Sequence, residues 1–395
     1  MGDAPALDLD PFADDFLREP DVHHEQLREA APVVFLERYG VWAMARFAEV
    51  RAALRDHETF CSSAGVGLSD FRKETPWRPP SLLLEADPPQ HTRTRRPTAN
   101  VMSPRAIERF RADFEHEAEV MVADLVARGS FDGVTALAQA YPLRVFPDAV
   151  GLSRDGRENL LAYGSMVFNA FGPRNRLFVE AMAAAEPVGA WIADHCKRNA
   201  LASDGLGAHL YHAAYAGDVT EDEAGMLARS LLSAGIDTSK NALALALHAL
   251  AARPDQWTAL RDDPTLARAA FEETLRYASP VQTFFRTTTR AVEVGGTTIP
   301  DGEKVLLFLG AANRDPRRWQ DPDRFDITRH NVGHVGFGTG IHACVGAGIA
   351  RLEAEILLKT MARHIRSLEL TGLARPLLNN TLRGLTTLPM HVHPA

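Results

Sequence analysis

The stretch 221–252 constrains this chain more than any other. Apolar residues recur there with a helical period for longer than an ordinary globular helix runs, so the sequence predicts one long helix that other elements pack around. Thr220 is its expected N-cap, with acidic residues in the first turn. Further helical periods run near 104–128, 156–170, 176–199 and 264–277, and 348–365 reads as a strongly amphipathic helix. Residues 47–56 form another. Sheet signals are short: a hairpin from 33–37 and 41–45 around Arg38-Tyr39-Gly40, and strand–turn character over 287–310. Residues 1–20 read as a loose acidic lead-in and 311–340 as loop. Residues 62–90, rich in Gly, Pro and Ser, form a long irregular segment of the kind that usually carries function. No repeat, linker or composition break divides the chain. The expectation is one mainly α domain over 1–395 with small β-sheets, although length alone favours two or three domains.

Charge and cysteine usage exclude several classes. Lys plus Arg number 43 against 51 Asp plus Glu, a net charge of −8. That is not the balance of a nucleic-acid-binding chain. Cys61, Cys196 and Cys344 stand far apart without a CxxC partner, which fits a reducing compartment and no disulfide framework. The opening MGDAPALDLDPFADDF has neither signal-peptide nor transit-peptide character, and no run of 18 uncharged apolar residues occurs. A cytoplasmic protein with no membrane and no nucleic-acid partner is expected.

The segment FGTGIHACVG, Phe337 to Gly346, surrounds Cys344 with glycines just before a predicted helix. Glycines let a backbone approach a flat cofactor, and helix N-terminal amides favour a thiolate. Such a thiolate suits haem iron. A buried cysteine in a tight turn fits the loop equally well when it is read alone.

Three more segments stand in order with this loop: FEETLR with Glu273 and Arg276, DPDRF with Arg324, and AGIDT with Asp237 and Thr238. A Glu and Arg three apart are by themselves usually a helix surface pair. Together with Phe337, Gly340, Cys344 and Gly346, they resemble the cytochrome P-450 family over nearly the whole chain. The resemblance implies the P-450 fold, with haem b between the long central helix and the cysteine loop, and Cys344 as its metal ligand. It implies a core cluster of Glu273, Arg276 and Arg324. It gives Asp237 and Thr238 the catalytic handling of protons for dioxygen. Thr238 would steer the hydrogen bonding and Asp237 would relay. His91, Arg95, Arg286 and His342 fall where similar enzymes bind the haem propionates, and Phe337 belongs to the haem-binding loop.

The central helix also carries a polar stripe at Ser230, Ser233, Ala234, Asp237 and Thr238. Hydroxyls bonding back to the preceding turn account for Ser239 and Ser233, but an unpaired buried carboxylate at Asp237 is costly. Gly235 in mid-helix costs about 1 kcal/mol against Ala, which suggests a ligand approaching closely or a widened turn. Arg93 and Arg96 read as a solvated face or as part of a positive patch for a reductase partner.

The segments WRPPS, VFNAFGP, RSLLSAG, SPVQTFFRTTTR and NNTLRGL are similar to soluble bacterial members that oxidise para-substituted benzoic acids such as 4-methoxybenzoate. On that likeness Arg78 and Ser81 bind the substrate carboxylate. Arg229, Ser230 and Ser233 shape or neutralise that end, and Phe168, Phe171 and Phe284 hold the ring. Ser239 departs from the likeness, where a second threonine is common. The chain lacks flavin, CxxC and GxGxxG motifs, so electrons are expected from an iron–sulfur ferredoxin and its NAD(P)H-dependent reductase. The alternatives are a P-450 for another aromatic acid or a neutral ring, and a non-catalytic haem sensor or carrier.

Overall fold

The computed structural model describes residues 4–395. The predicted long helix runs Glu221–Ala251. Thr220 caps it by accepting from the Glu223 N–H at 3.2 Å, and the Glu223 side chain returns a bond to the Thr220 N–H at 2.8 Å. This reciprocal pair satisfies two of the amide donors that a helix start leaves open. Apolar residues bury most of the helix, and its neighbours include Leu206–Tyr215, Asn159–Asn169, Ala140–Val150 and Ala267–Tyr277.

The sheets are small, as the short sheet signals require. The largest runs, in spatial order, Ala6–Leu7, Val34–Leu36, Val41–Met44, Lys304–Phe308, Thr283–Thr288 and Phe60–Cys61. Arg286 pairs in register with Val305 across two antiparallel strands. Side chains alternate faces along a strand, so Phe284 and Arg286 share one face and Phe285 takes the other. Phe285 enters the cluster that includes Phe12, Leu36 and Phe308.

Several boundaries differ from the sequence reading. The lead-in is not loose: Asp14–Arg18 and Pro20–Ala30 are helical, with Phe12 and Phe16 buried. Pro20 begins its helix at a position where the missing N–H costs nothing. The period over 176–199 breaks into Arg176–Ala185, a single turn at Glu186–Val188, then Gly189–His195. Pro187 cannot continue the hydrogen-bond ladder. The period over 104–128 splits into Pro104–Glu108 and Arg111–Arg128. Helices Ala140–Val150, Leu206–Tyr215 and Pro254–Asp262 were not read from the sequence.

Glu273 and Arg276 have no exposed side-chain surface. Arg276 donates to both Glu273 oxygens at 2.8 Å and to the carbonyls of Asn313, Pro322 and Arg324. The expected third member is corrected. Arg324 is 67% exposed and lies 4.0 Å from Asp326, whereas Arg329, 12% exposed, donates to Glu273 at 3.2 Å. The chain turns after Asp321, which has φ +46. Arg324 then contributes its carbonyl to the cluster and turns its side chain to solvent.

Candidate active site

One cavity opens between the central helix and the cysteine loop. Its wall includes Cys344, Phe337, Gly338 and His342 from the loop, and Ser233, Ala234, Gly235 and Thr238 from the helix. Cys344 is exposed, and the surface that it exposes faces this cavity. Cys61 and Cys196 are buried elsewhere. The loop is built to hold the thiol. The Cys344 N–H donates to the Phe337 carbonyl at 2.8 Å. Gly338 and Gly340 take positive φ, and a Cβ on Gly340 would meet the Leu54 carbonyl at 2.7 Å. Burial raises the Cys344 pKa, while backbone amides at Gly346 and Ala347 and the charges of Arg95 and Arg351 pull it back. The first turn of the helix Ala347–His364 thus favours the thiolate. Phe337 is held beneath the Arg351 guanidinium, 4.6 Å from its ring centre.

A haem needs partners for two propionates, and the wall supplies donors that the described residues leave open. Arg286 is buried, and its guanidinium donates to its neighbour's carbonyl, Phe285 O, at 2.8 Å. Arg95 donates to the Ala343 carbonyl at 2.6 Å. The rings of His91 and His342 lie 4.4 Å apart, and the Nε2 atom of each is buried with no hydrogen-bond partner among the described residues. His342 Nε2 is 3.6 Å from Asp87, beyond a good hydrogen bond. Arg95, Arg286 and His342 line the cavity, and His91 backs His342. Burial lowers both imidazole pKa values, His91 to about 4, so both rings are neutral at pH 7. His342 Nδ1 donates to the Leu83 carbonyl at 3.1 Å, so its Nε2 carries no proton, and the donors toward the cavity are Arg95, Arg286 and the ring of His91. This donor set fits a dianionic, otherwise apolar, flat group.

Two known proteins align with nearly the whole of this chain. It is 55% identical over 392 residues to cytochrome p450 CYP199A2 of Rhodopseudomonas palustris, covering 99% of this chain and 95% of that one. It is 34% identical over 398 residues to beta-dihydromenaquinone-9 omega-hydroxylase of Mycobacterium tuberculosis, covering 98% and 79%. The family model for cytochrome P450 matches residues 195–390. The chain belongs to the cytochrome P450 family. Its fold superposes on cytochrome P450 CREJ in complex with (4-ethylphenyl) dihydrogen phosphate, with TM-score 0.88, 28% identity and coverage of 97% and 99%. Membership brings a cysteine-ligated haem b and oxygen-dependent oxidoreductase activity. Among the described residues, no helix is long and apolar enough to cross a membrane.

The rest of this P450 cavity gathers the residues singled out for substrate. Arg78, Ser81, Phe168, Phe171, Arg229, Ser230, Ser233 and Phe284 all line it. Phe171 lies 6.0 Å from Phe168 and 5.8 Å from Phe284, both edge-on. Such edge-to-face clusters leave flat ring faces for a further aromatic. Tyr163, which the sequence reading missed, also lines the cavity, and the charges of both Arg229 and Arg78 reach it. Both arginines line this cavity with Tyr163.

The remaining residues of the central helix are placed as follows. Asp237 is buried but does not line the cavity. The helix Asn159–Asn169 covers it, and its Oδ2 sits 2.2 Å from where a Cβ on Gly164 would be. Lys240 pairs with it at 2.9 Å. Burial raises its pKa and Lys240 opposes that rise. Thr238 does face the cavity and donates to the Ala234 carbonyl at 2.7 Å. Back-bonding hydroxyls are Ser230 to Met226 and Ser233 to Ser230, while Ser239 sits beside Glu353. The close neighbour that Gly235 admits is the Phe146 ring, 2.3 Å from a Cβ there. Arg93 and Arg96 form ion pairs with Glu223 and Asp218. They tie the helix Gln90–Val101 to the start of the central helix instead of presenting free charge.

Glu353 was also missed. It lines the cavity, is 1% exposed, and has no hydrogen-bond partner of good geometry among the described residues. Burial raises its pKa from 4.5 to about 8, against a smaller lowering by Ser239. A raised carboxyl pKa contributes stability below its unfolded value that is lost as pH rises toward the folded one. Between pH 5 and 8 the Glu353→Gln holoenzyme should therefore gain melting temperature on the native protein, by about 2 °C or more. Thermal denaturation at both pH values checks this, and parallel profiles contradict it.

Proposed function

We propose that this P450 oxidises para-substituted benzoic acids, with 4-methoxybenzoate as the type substrate. The observation that carries the reading is the joint lining of one cavity by Arg78, Ser81 and Arg229, by three phenylalanine rings, and by Cys344. The donors for the benzoate carboxylate, Arg78, Ser81 and Arg229, stand on the 62–90 segment and the central helix, whereas the thiol stands on its own loop. The para substituent is then free to point toward the cysteine side. A neutral ring would leave the free donors of Arg78 and the charge of Arg229 without a partner in the cavity, which costs binding. The solved relative holding (4-ethylphenyl) dihydrogen phosphate has a ligand of the same kind, a para-substituted ring with an anionic end.

Haem, when bound, supplies the oxygen activation. The chain's residues do the rest. The phenylalanines exclude water and fix the ring plane, and the arginines set the carboxylate. Thr238 places a hydroxyl in the cavity wall, and Asp237 with Lys240 lies behind it as a buried ion pair. Each methoxy group consumes one dioxygen, two electrons and two protons, and yields a phenol, formaldehyde and water. The electrons come from an iron–sulfur ferredoxin reduced by an NAD(P)H-dependent reductase, since the sequence carries no motif for a second redox centre.

Arg78→Ala should weaken 4-methoxybenzoate binding by about a hundredfold, the scale for removing one partner of a desolvated charge pair. The haem spectrum should persist. The single variant strands buried Glu85, so the double variant Arg78→Ala with Glu85→Gln separates lost recognition from loop damage. Spectral titration is the measurement, and unchanged affinity in the double variant contradicts the carboxylate assignment.

A further inference from the structure

The loop that carries Arg78 also carries its counter-ion. Glu85 has only 2% of its side chain exposed. Its Oε2 accepts from Arg78 Nη1 at 2.9 Å and from the Ser81 N–H at 2.7 Å. The same Nη1 donates to the Pro79 carbonyl at 2.9 Å. Arg78 and Ser81 line the cavity and Glu85 does not, so the carboxylate stands behind the arginine. Nη2 and Nε of Arg78 have no partner among the described residues. The Ser81 Oγ accepts from the amides of Leu83 and Leu84 at 3.4 and 3.2 Å, which leaves its proton free to donate. Arg229 lines the same cavity and forms no ion pair among the described residues.

We propose that Glu85 sets the charge specificity of the acid-binding wall, by aiming Arg78 into the cavity while cancelling its charge. This rests on the benzoate reading above. Arg78 and Glu85 together are neutral, so of the two arginines assigned to the carboxylate only Arg229 brings a net charge, while Arg95 and Arg286 of the same cavity serve the haem propionates. A single negative charge is then matched, and a second is not. Arg78 acts as a preset hydrogen-bond fork. Glu85 is a positioning and charge-setting residue without contact to the substrate. It also keeps a buried guanidinium from standing unpaired before substrate arrives.

Glu85→Gln preserves an oxygen acceptor for Arg78 and Ser81 and deletes the charge. It is to be read by spectral titration of the holoenzyme with three ligands that share a ring: 4-methoxybenzoate, 4-methoxybenzamide and, above its second ionisation, 4-methoxyphenylphosphonate. The wild-type benzoate response is read first. If it is absent, the benzoate reading falls and this proposal with it. With that response present, the variant should bind benzoate about tenfold tighter, as loss of one anion several ångströms away implies at a protein-like dielectric. The phosphonate dianion should gain more than benzoate, and the neutral amide should not change. Glu85→Asp should restore the native order of preference. Equal shifts for all three ligands, or no shift, would overturn the proposal and leave Glu85 as a loop-packing residue.

Discussion

Arg276→Leu should destabilise the protein by about 3–5 kcal/mol, because it leaves the fully buried Glu273 without its main partner. Arg276 also joins Asn313, Pro322 and Arg324 through their carbonyls. Those carbonyls lie in the segment leading to the cysteine loop, so lost packing there should lower haem content as well. Arg329→Leu should cost less, since Arg329 is partly exposed and makes one bond to Glu273. Arg324→Ala should stay within about 0.5 kcal/mol of the native protein, as exposed substitutions do. Thermal denaturation and the haem-to-protein absorbance ratio check the ranking. An Arg324 variant as damaged as the Arg329 variant would contradict the corrected cluster.

Cys344→Ser should reduce 4-methoxybenzoate turnover by more than about a thousandfold, the scale of removing a group that acts on the reacting atoms. The serine has nearly the same size, and the loop is held by backbone bonds and glycine conformations that it leaves intact. The fold should therefore survive. The reduced carbon monoxide complex should lose the long-wavelength band that a thiolate ligand confers. Unchanged turnover, or an unchanged carbonyl spectrum, would show that Cys344 is not the ligand.

The sequence made some of this architecture legible through local chemistry. The central helix was readable because its period is long and Thr220 with Glu223 forms a capping box. The cysteine loop was readable because its glycines sit where positive φ and close approach demand them. The elements that were misread depend on tertiary contact. Pro20 begins a helix whose burial only the sheet beneath it decides. Arg324 and Arg329 lie five apart in one irregular segment, and only the turn after Asp321 determines which reaches Glu273. Asp237 lies near Ser230 around the helix axis, but the helix covering it keeps its carboxylate out of the cavity. Glu85 and Glu353 gave no motif at all. Their roles follow from burial, which an acidic side chain in a sequence does not advertise.

The acid wall and the thiol wall meet in one test. The ferric holoenzyme is titrated with 4-methoxybenzoate, then reduced under carbon monoxide. The expected result is a Soret shift to shorter wavelength as the ligand displaces water from the iron, and a long-wavelength thiolate carbonyl band after reduction. A thiolate carbonyl band with no Soret response to 4-methoxybenzoate would keep the P450 and contradict the benzoate assignment.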